Sequence, residues 1–236
     1  MGRGGVMEGQ LRSEAEKSWL PGSPGGDRPL SRRAYDAIFT AIQDGQLAPG
    51  SLVREADLTT WLEMSRTPLR DALQRLEAEG LLSMQSHRGI RIAALDQQQV
   101  SELYTAREWA EGAAASLAAR YATPVDIARM RHILKQERAS ADDPVAGARH
   151  NRDLHLTIHT CARNRYLAEH LSSMAALLAL VGNTRRRNAN RVVEAEQEHT
   201  ALVAAIADGD SQRAEASARQ HIQAAQRNVL THWVGA

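Results

Sequence analysis

From Asp96 to the C-terminus the sequence carries almost no strand signal, and this constrains the fold more than any other feature. Apolar residues recur there at three- and four-residue spacing, the period of a helix that buries one stripe. The pattern predicts helices near 96–121, 124–141, 145–162, 165–187, 190–208 and 211–232. Short breakers separate them: Thr123-Pro124, Asp142-Asp143-Pro144, Arg163-Asn164, Asn188 to Asn190 and Asp208-Gly209-Asp210. Long amphipathic helices on short connections bury their stripes against one another, so an antiparallel bundle is expected.

The stretch from Leu30 to Leu95 is different. Tyr35, Ile38, Phe39 and Ile42 predict a helix over Ser31 to Asp44, closed by Gly45, Pro49 and Gly50. Glu55 to Leu62 reads as a second helix. A third, capped by Ser65 or Thr67 with Pro68 in its first turn, runs to Gly80. Leu81 to Ala94 alternates around the polar turn Ser86-His87-Arg88-Gly89, the mark of a small hairpin. Three helices and a hairpin form a winged helix-turn-helix. The expected fold is therefore mainly α, with a DNA-binding unit over 30–95 and a helical bundle over 96–236. Residues 1–29, dense in glycine and proline, are expected to be a disordered tail.

The chain has 236 residues, enough for two such domains. No apolar run approaches a membrane span, and Met1 to Pro29 lacks the apolar core of a signal peptide. The single cysteine, Cys161, precludes an internal disulfide and fits a reducing cytoplasm, so a cytoplasmic protein with no membrane partner is expected. The net charge of +1 excludes a uniformly basic coat. Lys17 and Lys135 are the only lysines; arginine carries the remaining positive charge, and its forked donors suit phosphate and guanine.

At about 100° per residue, the third helix separates into two faces. Leu69, Ala72, Leu73 and Leu76 face inward, and Arg66, Thr67, Arg70 and Gln74 face outward. The capped end of such a helix enters the major groove first, where Arg66 and Arg70 can bond phosphate or the guanine edge. His87, Arg88 and Gly89 form the wing tip, with Gly89 letting the backbone pass close to the sugar-phosphate wall. Residues 31–95 hold eight arginines and eight acidic residues, so charge alone does not identify a DNA surface. Order does. The run Ser65-Arg66-Thr67-Pro68-Leu69-Arg70-Asp71-Ala72-Leu73-Gln74-Arg75-Leu76-Glu77-Ala78-Glu79-Gly80-Leu81 resembles the recognition helix of GntR-family regulators, with Leu47-Ala48-Pro49-Gly50 before it and His87-Arg88-Gly89 after it. The resemblance implies binding to a double-stranded palindromic operator as a homodimer. Some relatives carry a DNA-contacting arginine where Ala56 stands here; Arg54 is the nearest substitute.

In the second half, polar residues interrupt apolar seams. Arg107 lies within Val100, Leu103, Ala110, Ala114 and Leu117. Asn151 and His155 share a face with Leu154 and Ile158. His199 lies with Val192, Ala195, Leu202 and Ile206, and His221 with Ala214, Ala218, Ala225 and Val229. The turn at Asp208 to Asp210 is about midway between His199 and His221, so antiparallel helices would bring them to one height. One oxygen and three nitrogen donors suit zinc, nickel or another divalent ion. Core histidines are also commonly hydrogen-bonded, and spacing leaves both readings open.

Leu103-Tyr104-Thr105-Ala106-Arg107-Glu108, Asn151 with His155 and Asn164, Glu198-His199 and Arg219-Gln220-His221 resemble the FCD domain, the sensory half of one GntR branch. The resemblance implies a divalent metal on Asn151, His155, His199 and His221, with zinc expected and nickel or manganese as alternatives. Asn151 stands where aspartate is commoner, removing a negative charge. His159 is a rival ligand, expected instead to be a polar neighbour. The resemblance also implies a small organic acid as effector, with one carboxylate oxygen on the metal and the charge met by Arg107, and by Arg185 within the run Arg185-Arg186-Arg187. A repressor, not an enzyme, is expected. The competing readings are a metal-dependent enzyme, for which Glu111 is the nearest base, a regulator with a structural metal, and a sensor of the metal itself.

Overall fold

A computed structural model of the chain describes residues 28–85, 89–140, 142–181 and 189–231. The expected tail lies almost wholly outside the described residues, as do His87, Arg88 and Arg185 to Arg187. The chain divides into two compact units between Ala93 and Ala94.

The first unit is a winged helix-turn-helix. It runs α1 (Leu30–Gln43), β1 (Leu52–Val53), α2 (Glu55–Leu62), α3 (Arg66–Ala78), β2 (Leu82–Gln85) and β3 (Gly89–Ile92). Ala34, Tyr35, Ile38, Ala41 and Ile42 make the buried stripe of α1, and α3 packs on it through Leu69, Ala72, Leu73 and Leu76. A fully buried leucine contributes about 1.5–3 kcal/mol, so this contact holds the reading helix in place. Ser65 takes the N-cap position of α3, as expected, though its side chain makes no cap bond, and Thr67 lies inside the helix. Gly80, at φ 76°, turns the chain out of α3.

The sheet is antiparallel in the order β1-β3-β2, with Met84 opposite Ile90 and Leu52 opposite Arg91. β1 escaped the sequence reading because two residues are too few to show alternation. It also gives Gly89 a reason within the fold. Gly89 has φ +104°, and a Cβ there would lie 2.7 Å from the Val53 carbonyl oxygen. The strand's approach requires glycine, whatever lies beyond the wing.

The second unit is an all-helical bundle of α4 (Gln97–Tyr121), α5 (Pro124–Ala139), α6 (Pro144–Cys161), α7 (Arg165–Leu177), α8 (Ala189–Ala207) and α9 (Ser211–Thr231). The breakers act as caps. Asp96 accepts the Gln99 amide at 2.7 Å while Gln99 accepts the Asp96 amide at 2.9 Å, and Thr123 with Asp126 repeats the pattern at α5. Asp143 and Asn164 cap α6 and α7. α4 packs along α9 and against α6, α7 and α8. The main core, which includes Ala115, Ala118, Met130, Leu154, Ile158, Leu202 and Ile206, joins α4, α5, α6, α8 and α9.

One expected helix is shorter than its pattern. The span 165–187 gives α7 only to Leu177, followed by a 3-10 turn over Leu178–Val181. Ala176, Ala179 and Leu180 are all buried, and the three-residue step from 176 to 179 matches the tighter winding. Arg185 itself lies outside the described residues.

A candidate DNA-reading face and a candidate metal centre

On α3, Arg66, Thr67, Arg70 and Gln74 are exposed while the leucines between them are buried, as the two-face division requires. Arg54 is exposed at the N-cap of α2. Arg70 is directed by Glu55: its Nε donates to Oε1 at 3.0 Å and its Nη2 to Oε2 at 3.4 Å. An exposed pair of this kind adds at most about 1 kcal/mol, so its effect is on aim more than stability.

In the bundle, α6 supplies His155, α8 supplies His199 and α9 supplies His221, all buried. The ring centroids are 5.7 Å apart for His155 and His199, 5.3 Å for His155 and His221, and 4.5 Å for His199 and His221. Asn151 is half-buried on α6, one turn before His155.

Each Nδ1 meets a carboxylate from a different side chain. His155 Nδ1 is 3.0 Å from Glu111 Oε2, His199 Nδ1 is 2.8 Å from Glu137 Oε2, and His221 Nδ1 is 2.7 Å from Glu198 Oε2. A carboxylate only accepts, so each Nδ1 carries the proton and a neutral ring presents a bare Nε2. His155 Nε2 is buried with no hydrogen-bond partner, and His199 Nε2 lies 3.3 Å from His221 Nε2. One nitrogen of each ring lies within 4.8 Å of the others. With every Nδ1 engaged, the nitrogens left to a cation are the three Nε2 atoms. Two nitrogens at about 2.0–2.1 Å from one tetrahedral ion stand about 3.3 Å apart, so the donor set fits a divalent ion.

The electrostatics agree. Burial pushes the His155 imidazole below its ordinary value, against the pull of Glu111. His221 is held well below, by burial first and then by electrostatic repulsion from its neighbours His199, His155, Arg107 and Arg191, which oppose a second positive charge in the cluster. Burial opposes ionisation of Glu111, but the charges of His155 and Arg107 and the bonds from His155 and His159 outweigh it and hold the carboxyl well below its usual range. Above its lowered value His155 is neutral, so Arg107 and the two hydrogen bonds keep Glu111 ionised.

Arg107 is nearly buried, with Nε and Nη2 each 3.1 Å from Glu111 Oε1. His159 Nε2 lies 2.9 Å from Glu111 Oε2. Glu111, the acid the sequence places nearest the histidines, is thus joined by Glu137 and Glu198, each bonded to a ring nitrogen. The signal of Glu137 on α5 was faint: a carboxylate on a helix looks like solvated charge until the partner helix is in place.

A winged helix-turn-helix followed by a histidine-centred bundle is the layout of a bacterial transcription regulator. Residues 30–92 match the bacterial regulatory proteins of the gntR family, residues 102–224 match the FCD domain, and the chain belongs to that family in its FCD branch. It is 34% identical over 123 residues to an uncharacterized HTH-type transcriptional regulator of Agrobacterium vitis, spanning 52% of this chain and 72% of that one. It is 28% identical over 200 residues to a probable D-xylose utilization operon transcriptional repressor of Paenarthrobacter nicotinovorans, spanning 83% and 86%. The fold matches E. coli McbR/YncC with a TM-score of 0.77 at 20% identity, over 87% of this chain and 99% of that one. The chain is a DNA-binding regulator and not an enzyme. No helix among the described residues is long and apolar enough to cross a membrane.

Proposed function

We propose that the chain is a repressor that binds a palindromic operator as a homodimer and is released by a small organic acid held beside a divalent ion. The observation that carries this reading is the set of three imidazoles, each with Nδ1 committed to a glutamate, around the partnerless His155 Nε2. Asn151, His155, His199 and His221 would hold the ion. Bound there, the ion supplies a Lewis-acidic position that takes one carboxylate oxygen. Arg107 orients the acid and offsets its charge. The acid acts by binding best to the conformation that holds DNA least well.

Arg66, Arg70 and Gln74 read the operator, with Thr67, Arg54 and the wing residues His87, Arg88 and Gly89 on its flanks. A single short helix reads few bases, which supports two half-sites and a dimer. The repressor named above supports repression as the output.

The test is fluorescence anisotropy on a labelled operator with zinc-loaded protein and a panel of small carboxylates. At least one should weaken binding in wild type and none in Arg107→Ala. A panel that leaves wild-type affinity unchanged would overturn the reading.

A further inference from the structure

Glu111 is divided between two partners to which the proposed function gives separate tasks. Its Oε1 accepts from Arg107 Nε at 3.1 Å and stands in ion-pair contact with Nη2, also at 3.1 Å. Its Oε2 accepts from His155 Nδ1 at 3.0 Å and lies 2.9 Å from His159 Nε2. The side chains are sealed, with exposures of 4% for Glu111, 12% for Arg107, 7% for His155 and 6% for His159. Buried bonds on one carboxylate polarise each other, so a change in the pull on Oε1 is felt at Oε2. Water cannot take up the difference.

We propose that Glu111 is a positioning residue that couples the acid at Arg107 to the ion at His155, so that each binds more tightly in the presence of the other. The inference rests on the acid and ion of the proposed function. A guanidinium has five donors, and Arg107 spends its Nε–H on Glu111 with Nη2 in ion-pair contact, which leaves others for an acid. An acid on those donors draws the guanidinium's positive charge toward itself and weakens its pull on Oε1. More of the carboxylate's charge then falls on the Nδ1–H of His155. That makes Nε2 a stronger donor, as partners behind a metal-binding imidazole generally do. Coupling between two binding equilibria is reciprocal, so the ion must tighten the acid by the same factor. His159, on the same oxygen, keeps the carboxylate from swinging away.

The experiment measures zinc affinity of the full chain by competition with a chromophoric chelator, with and without acetate as the probe acid. In wild type, acetate should tighten zinc by about fivefold or more, the lower end of ordinary coupling. Glu111→Gln keeps the shape and removes the charge. It should weaken zinc by about 10–100-fold, as loss of a partner behind a ligand does, and shrink the acetate effect to the part that direct coordination of acetate to the ion supplies. Glu111→Asp keeps the charge but withdraws it by one methylene, and should shrink the acetate effect in the same way. It serves if the glutamine variant does not fold by circular dichroism. Full acetate linkage in either folded variant would overturn the coupling role while leaving the acid site standing. No linkage in wild type would overturn both.

Discussion

His199 Nε2 lies 3.3 Å from His221 Nε2, while their Nδ1 atoms are bound to Glu137 and Glu198. In two neutral rings so oriented, bare lone pairs face each other. No other hydrogen bond among the described residues reaches either atom, and the third ring adds a buried nitrogen with no partner at His155 Nε2. Buried polar atoms are almost always partnered. The bundle has thus fixed the tautomer, the orientation and the spacing of three donors ahead of any cation.

The first prediction is one divalent ion per chain, counted by elemental analysis of protein prepared without chelator. His155→Ala, His199→Ala and His221→Ala should each lose it. His159→Ala should keep it, because His159 faces Glu111. Chelation should lower the melting temperature: an ion at about 100 times its Kd stabilises the native state by about 2.7 kcal/mol. Metal-free protein that gains no thermal stability from zinc, nickel or manganese would count against the site.

The histidines were legible in the sequence because an imidazole on an apolar stripe breaks a pattern, and the stripe says which way it points. The helix boundaries at Thr123, Asp143 and Asn164 were legible because breakers are local; that these residues and Asp96 cap the helices came from the structure. The pairing of glutamates with the histidines was not legible, although Glu111 stood out as the nearest acid. His155 and Glu111 are 44 residues apart, and His199 and Glu137 are 62 apart; nothing in either helix announces the other. β1 was missed for its length, and the end of α7 because a fully apolar run shows no periodic change where the winding tightens.

Glu137 gives a second prediction. Glu137→Gln retains an acceptor for His199 Nδ1 and loses the charge behind it. Zinc affinity should fall by about 10–100-fold with the fold intact, measured by chelator competition and circular dichroism. Unchanged affinity would mean that the carboxylate does not support the ligand.

Cys161 gives a third. Burial pushes its thiol up to about 11, and the nearby charge of Asp126 adds to this. Only the thiolate reacts, and its fraction at neutral pH is about a hundredfold below that of a thiol titrating near 9. Iodoacetamide should label folded protein slowly until the pH approaches 11, and label urea-unfolded protein readily at pH 8. The raised value opposes folding only as the pH climbs past about 9, where the unfolded chain ionises first. Equal labelling rates in the two states at pH 8 would refute the shift.

Gly89→Ala should destabilise the first unit by about 1–3 kcal/mol. The backbone sits at φ +104°, and the new Cβ would meet the Val53 carbonyl oxygen at 2.7 Å. Urea unfolding should show the loss, while zinc content, set by residues of the bundle, stays the same. A variant as stable as wild type would show that β1 can move aside.

The last prediction separates contact from aim on the reading helix. Arg66→Ala and Arg70→Ala should each weaken operator binding by about 1–3 kcal/mol without unfolding the protein, because both side chains are exposed and the apolar face of α3 is untouched. Glu55→Gln tests whether Arg70 must be held. Its carboxylate takes Nε and Nη2 of Arg70 at 3.0 and 3.4 Å, which narrows the rotamers available to a long side chain. Removing that charge has two opposing effects: repulsion of the phosphate backbone falls, and Arg70 loses its guide. Nonspecific DNA should therefore bind slightly better, through general charge. Specific operator should bind worse, through the misplaced guanidinium. A gel-shift comparison of operator with scrambled duplex at fixed salt decides it. If Glu55→Gln strengthens both equally, Glu55 is only a nearby negative charge and Arg70 finds its base unaided.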